Sequence, residues 1–280
     1  MAGSAGVGAT SLFEQLDHDR FRATELARGP WDPDALHGGP PGALVAGALE
    51  DVVATFARDE LTGDDGTTVS FFPARFTAEL LRPVPLDELV VETTLRRPGR
   101  KICIADATLT GPDGKVCLAA TLATIRSQPF DQPRSDEVAT PPPASGGWGV
   151  KIADGEHVMF ARDGVEHRVV AGRFEDPGPA TDWIRLAAPM VDGREPTPLE
   201  RVIAAADFGN GVSKWFDMDE ALFLNPDLTV NLHRLPVGEW VCIDAVTRLG
   251  TEGVGLAESL LFDEDGPIGR ATQSLLVEGR

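Results

Sequence analysis

Basic residues are scarce in this chain of 280 residues: 25 lysines and arginines stand against 44 aspartates and glutamates, a formal charge of −19. Nucleic-acid binding depends on neutralising phosphates with cationic side chains, so that class of partner is excluded. Any other polyanionic ligand would need a local basic patch. The densest basic run is Arg96–Lys101 ("RRPGRK"), which also reads as a solvated hairpin, with Arg82 and Arg234 as alternatives. Cysteine is scarce too. Cys103, Cys117 and Cys242 make an odd count without C-x-x-C spacing, which fits reduced, buried thiols in a cytoplasmic protein better than disulfides or zinc. No apolar run approaches the roughly 20 residues that a membrane helix needs. The opening "MAGSAGVGATSLF" has neither the basic region nor the long apolar stretch of a secretory signal. Catalytic signatures are missing as well: no G-x-S-x-G elbow, no H-x-x-x-H pair, no Walker loop and no dinucleotide fingerprint. A serine hydrolase of the α/β type and a zinc enzyme are unsupported, no metal or redox cofactor is expected, and water is the most plausible attacking group.

What is present is a 42% hydrophobic chain, enough for a substantial core, and it repeats itself. The stretch from Arg75 ("RFTAELLRPVPLDELVVETT…") aligns without a gap to the stretch from Asp227 ("DLTVNLHRLPVGEWVCIDAV…"). Thr77 matches Thr229, Leu80 matches Leu232, Arg82 matches Arg234, Ala105 matches Ala257, and Asp113-Gly114 matches Asp265-Gly266. By the same alignment Gln273 matches Thr121. Each copy alternates like strands, with Leu228, Val230 and Leu232 against Thr229, Asn231 and His233, and each carries a D-G hairpin turn. A helix precedes each copy. The second opens with Thr197, Pro198 and Glu200, a capping box with proline at the first helical position, and continues with an apolar stripe at Leu199, Val202, Ile203 and Ala206. The expected organisation is α+β: a repeat over 1–126, a Pro/Gly/Ser-rich linker over 127–155 and a second repeat over 156–280. A lone sheet on one helix leaves edges and apolar surface exposed, so the halves should pair.

These residues resemble the TesB-type acyl-CoA thioesterases, which have a double hotdog fold of two tandem repeats, each a helix wrapped by an antiparallel sheet. The resemblance runs from about residue 12 to the end and rests on "AAADFGNG" with Asp207, "NPDLTVNLHRLP" with Thr229 and "RATQSLLVEGR" with Gln273. It implies that Asp207, Thr229 and Gln273 hold and activate the water that attacks a thioester. "HGGPPGALVAGALE" is similar to the turn-plus-helix of single-hotdog thioesterases, which implies that His37, Gly38 and Gly39 form a substrate-binding turn whose backbone N–H reaches the thioester carbonyl. The resemblance further implies acyl-CoA hydrolysis without a cofactor, and a homodimer or larger homo-oligomer.

The residues also support a physical reading of their own. Asp207 follows Ala206 at the edge of the apolar stripe, partly desolvated and beside the negative end of a helix, which favours proton uptake. An ordinary boundary carboxylate fits as well. Thr229 lies in the polar row of its strand, where threonine is also simply a good strand former. Gln273 sits in the row Ala271, Gln273, Leu275, Val277, and a buried amide must find partners. The first-half counterpart of Asp207 is Glu50 or Asp51, both off the helix stripe, and the His37-Gly38-Gly39 turn has no counterpart where "GREPTP" stands. One composite site per chain follows: the turn from the first half, the polar trio from the second. A plain helix-opening turn is the other account of the glycines. A hotdog enoyl-CoA hydratase and a non-catalytic acyl-binding protein remain as rivals, and acyl chain length stays open.

Overall fold

The sheet closes around its helices because each strand puts one apolar row inward. The computed structural model describes residues 9–131, 138–149, 157–173, 176–217 and 220–280. The first half holds β1 (Phe13–Gln15), β2 (Arg20–Ala23), α1 (Gly39–Glu60), β3 (Ser70–Leu80), β4 (Glu88–Arg97), β5 (Ile102–Thr110) and β6 (Val116–Ser127). The second holds β7 (Val165–Ala171), β8 (Ala180–Leu186), α2 (Pro198–Ala206), α3 (Gly209–Val212), β9 (Ala221–Leu224), β10 (Asp227–Leu232), β11 (Val241–Leu249), β12 (Val254–Asp263) and β13 (Gly266–Gly279). The strands form one antiparallel sheet in the order β1-β2-β4-β5-β6-β3-β10-β13-β12-β11-β8-β7, with β9 added beside β13. The order β4-β5-β6-β3 is mirrored by β10-β13-β12-β11, so the halves are related by an internal two-fold between β3 and β10. Thr77 and Thr229, matched by sequence, stand directly opposite each other at that seam.

The capping box expected at Thr197 is present: its hydroxyl accepts from Glu200 N, and Glu200 accepts from Thr197 N. Both D-G turns sit at hairpin tips, with Gly114 and Gly266 at positive φ. The two hairpins differ by one residue. In the first, Gly111 N donates to Lys115 O around Pro112, Asp113 and Gly114; in the second, Asp263 stands opposite Gly266 with only Glu264 and Asp265 between them. The strand that follows therefore slips. Thr77 faces Thr121, whereas Thr229 faces Thr272. The structural counterpart of Gln273 is thus Leu122, not Thr121 as the gapless alignment gives.

α1 and α2 lie antiparallel inside the sheet, close enough that α1 needs glycine along the contact. A Cβ on Gly39 would meet Ala204 O at 2.8 Å, and one on Gly42 would meet Ile203 at 3.2 Å. Leu199, Val202 and Ile203 on α2 are buried with Leu228, Val230 and Leu232 on β10 in the main core. The described part of the proline-rich segment is packed. Trp148 exchanges backbone bonds with Val169, and Trp183 Nε1 donates to Pro142 O over a small cluster with Ala144, Cys242 and Phe262. Residues 132–137 and 150–156 of the expected linker lie outside the described residues. All three cysteines are free and buried, and burial pushes the Cys242 thiol well up from its ordinary value.

Candidate active site

Asp207 closes the C-terminal end of α2, where the apolar stripe ends and the chain turns toward α3. Its side chain is buried, yet its carboxylate is well furnished with partners. Asn225 Nδ2 donates to Oδ1 at 2.8 Å and Gln273 Nε2 donates to the same oxygen at 3.1 Å. The other oxygen, Oδ2, lies 3.1 Å from His37 Nδ1. Two neutral amides and one imidazole therefore hold a carboxylate that apolar burial alone would disfavour.

The turn before α1 comes up against that carboxylate from the other half of the chain. A Cβ on Gly38 would meet Asp207 Oδ2 at 2.8 Å, so only glycine permits the approach. Pro40 and Pro41 carry no N–H and occupy the first turn of α1, and Gly42 N already donates to Gly38 O. Gly39 N–H is thereby left as the donor at this helix end, where the macrodipole favours negative charge. In this structure it donates to His37 Nδ1 at 3.1 Å. The same nitrogen faces Asp207 Oδ2, and a nitrogen that accepts from Gly39 cannot also donate to Asp207. The His37 tautomer therefore decides whether Gly39 N–H is engaged or free. The His37 ring is fixed by Phe208 and Phe160, with centroids 4.7 and 5.2 Å away.

Gln273 is 1% exposed and bridges two elements. Its Nε2 donates to Asp207, while its Oε1 accepts from Asn210 N at 3.1 Å. Thr229 is elsewhere. It shares the outer row of β10 with Asp227 and Asn231, and its hydroxyl faces Thr77 Oγ1 at 3.4 Å, on the opposite side of the sheet from Gln273 and Asp207. The expectation that Thr229 joins the trio is corrected by strand alternation: the side chain cannot face outward at the seam and inward at the site. The third polar group is Asn225, just before β10, which sequence reading passed over. Its only sequence signal is the Asn225-Pro226 pair inside the segment that carried the resemblance.

A second buried pair stands behind the aromatic cluster. His167 Nδ1 lies 2.5 Å from Asp182 Oδ2 and its Nε2 lies 3.0 Å from Ala161 O. His167 meets Phe208 edge-on, with centroids 5.1 Å apart. Among the described residues no group of three or more His, Cys, Asp or Glu side chains has metal-binding geometry. Of the basic candidates, Arg234 is engaged by Asp263 and Gly266 O, Arg96 pairs with Asp106, and Arg82 is exposed.

Residues 27–125 match the sequence profile of the acyl-CoA thioesterase N-terminal domain, and residues 135–277 match that of the C-terminal domain. The chain is similar to three solved structures over nearly its whole length. A putative thioesterase II from Thermobifida fusca shares 17% identity at a TM-score of 0.70, covering 96% of each chain. A putative thioesterase from Novosphingobium aromaticivorans shares 18% at 0.68, covering 97% of this chain and 100% of the other. The tesB protein of Mycobacterium avium subs paratuberculosis shares 17% at 0.64, covering 96% and 97%. At these identities the likeness is one of fold, and the fold is the α+β double hotdog. No curated protein matches the sequence.

Proposed function

Because this chain belongs to the acyl-CoA thioesterase family, we propose that it hydrolyses acyl-CoA thioesters at one composite site, with Asp207 as the base. The observation that carries this reading is the Asp207 carboxylate, held by Asn225 and Gln273 and set against the Gly38-Gly39 turn at the start of α1. Asn225 and Gln273 fix the Asp207 carboxylate so that its second oxygen meets the attacking water. The water oxygen bonds to the thioester carbon as its proton passes to Asp207. With the proton on His37 Nδ1 and directed at Asp207, Gly39 N–H is released to the developing oxyanion at the positive end of a helix. Collapse of the tetrahedral species breaks the C–S bond, and the thiolate takes the proton back from Asp207. The products are a carboxylic acid and coenzyme A.

Two other readings each draw on one contact. Addition of water to an enoyl thioester would use the His37–Asp207 pair, and acyl binding without turnover would fit the bond from Asn210 N to Gln273. Asp207→Asn decides among them. Thiol release from acyl-CoAs of several lengths should fall at least about 10²-fold with melting temperature unchanged, the loss expected for a positioned general base. Wild type that releases no thiol from any of them overturns hydrolysis. Loss of enoyl absorbance without thiol release would indicate the hydratase.

A further inference from the structure

The inner sheet faces of the two halves, equivalent in register, differ in chemistry. Leu95 stands opposite Ala105 in the first half and Thr247 opposite Ala257 in the second; by the same ladders Ser259 corresponds to Ala107, and Gln273 to Leu122. Three apolar positions of the first half are therefore polar in the second. The covering helix differs as well. α1 runs unbroken to Glu60, whereas α2 stops at Ala206 and the chain restarts as α3 at Gly209. Gly209 lies directly over the polar positions: a Cβ there would meet both Gln273 Oε1 and Ser259 Oγ at 2.9 Å.

Most of this polarity is used internally. Thr247 bonds Ser213, Ser213 donates to Gly209 O, and Gln273 spans Asp207 and Asn210 N. Two side chains are not. Ser259 is 4% exposed and Asn210 9% exposed, and neither side chain makes a hydrogen bond among the described residues. Their polar ends keep a little solvent access and so stay open to an incoming partner, and the equivalent alanine at 107 shows that this framework does not require the hydroxyl of Ser259. Both residues adjoin the Oε1 end of Gln273, remote from the Nε2 that meets Asp207: Asn210 N donates to that oxygen, and Ser259 Oγ lies with it against Gly209.

We infer that Ser259 and Asn210 form an acyl subsite for a hydrogen-bonding substituent, a hydroxyl or oxo group a few atoms from the thioester carbonyl. The inference rests on the hydrolysis reading and narrows its substrate class. Such a substituent completes both side chains, whereas a plain alkyl chain leaves them unpaired. Sites built to bond a substrate hydroxyl discriminate strongly against analogues that lack it.

The test compares thiol release from 3-hydroxybutyryl-CoA and butyryl-CoA by wild type, Ser259→Ala, Asn210→Ala and the double variant. Wild type should favour the hydroxylated thioester in kcat/KM by at least about tenfold, and the double variant should bring that ratio close to one. A wild-type ratio near one overturns the subsite while leaving hydrolysis intact. Variants that slow both thioesters equally, with the ratio unchanged, overturn it too, because a merely structural role does that. If wild type releases thiol from neither, the hydrolysis reading falls. Calorimetric binding then decides the subsite: a Kd at least about tenfold tighter for 3-hydroxybutyryl-CoA supports it and equal Kd values overturn it.

Discussion

Asn225 and Thr229 sit in one short segment, yet only Asn225 reaches Asp207. In β10 the alternation of side chains sends Asp227, Thr229 and Asn231 outward and Leu228, Val230 and Leu232 inward. Asn225 precedes the strand, so no alternation governs it, and it donates to Asp207 Oδ1. Thr229 was legible as outward-facing from the polar row it belongs to; the resemblance drew it into the site against that pattern. Asn225 was not legible, because an Asn-Pro pair ahead of a strand reads as turn chemistry alone. The two substitutions separate these roles. Asn225→Ala should lower kcat about tenfold or more, the scale of a lost bond to a charged group. Thr229→Val should stay within about twofold, since its hydroxyl meets Thr77 at the seam between the halves. Equal losses in thiol release would return Thr229 to the site.

At the scale of elements, α1 and α2 meet at two ends with opposite character. Asp207 at the end of α2 lies against the start of α1, and Glu50 on α1 lies against the start of α2, where Thr197 Oγ1 donates to it at 2.6 Å. The two ends correspond under the internal two-fold, so Glu50 occupies the place in the first half that Asp207 holds in the second. The sequence pointed to Glu50 or Asp51 for that counterpart; only the packing selects Glu50. Burial pushes its carboxyl from 4.5 up to about 7, against the opposing Thr197 bond and with Glu200 and Asp51 adding repulsion. Arg194, which grips Glu200 by both guanidinium nitrogens, offsets part of this. Between pH 4.5 and 7 the folded chain therefore holds a proton at Glu50 that the unfolded chain has lost. Stability falls as pH rises through that window, and the full cost is present above it. Glu50→Gln keeps the Thr197 bond and removes the charge. It should raise stability by about 3 kcal/mol well above pH 7 and change nothing well below pH 4.5. Melting curves across pH check this, and a variant equally shifted at both ends would contradict it.

Over the whole molecule, the halves share one sheet and one core. β3 pairs with β10, α1 packs on α2, and the site takes the turn from one half and the carboxylate from the other. Unfolding should therefore be a single transition despite the repeat. Two signals weight the halves differently: α1 is the long helix of the first, while four of the five tryptophans, Trp148, Trp183, Trp215 and Trp240, lie beyond it in the chain and Trp31 precedes it. Helical circular dichroism and tryptophan fluorescence should give coincident urea curves. Separated midpoints would mean that the halves fold independently.

Sequence alone determined the repeat, the alternating strands and the capped second helix, because each rests on local periodicity, local bonding or direct matching between copies; Asp207, Gln273, Gly38 and Gly39 were singled out through the resemblance to a family. Only the tertiary structure decided the rest. A hairpin shorter by one residue moved the partner of Gln273 from Thr121 to Leu122. The approach of α1 to α2 brought His37, Asn225 and Asp207 together. Those outcomes depend on register and on distances between segments remote in the chain, which no local pattern carries.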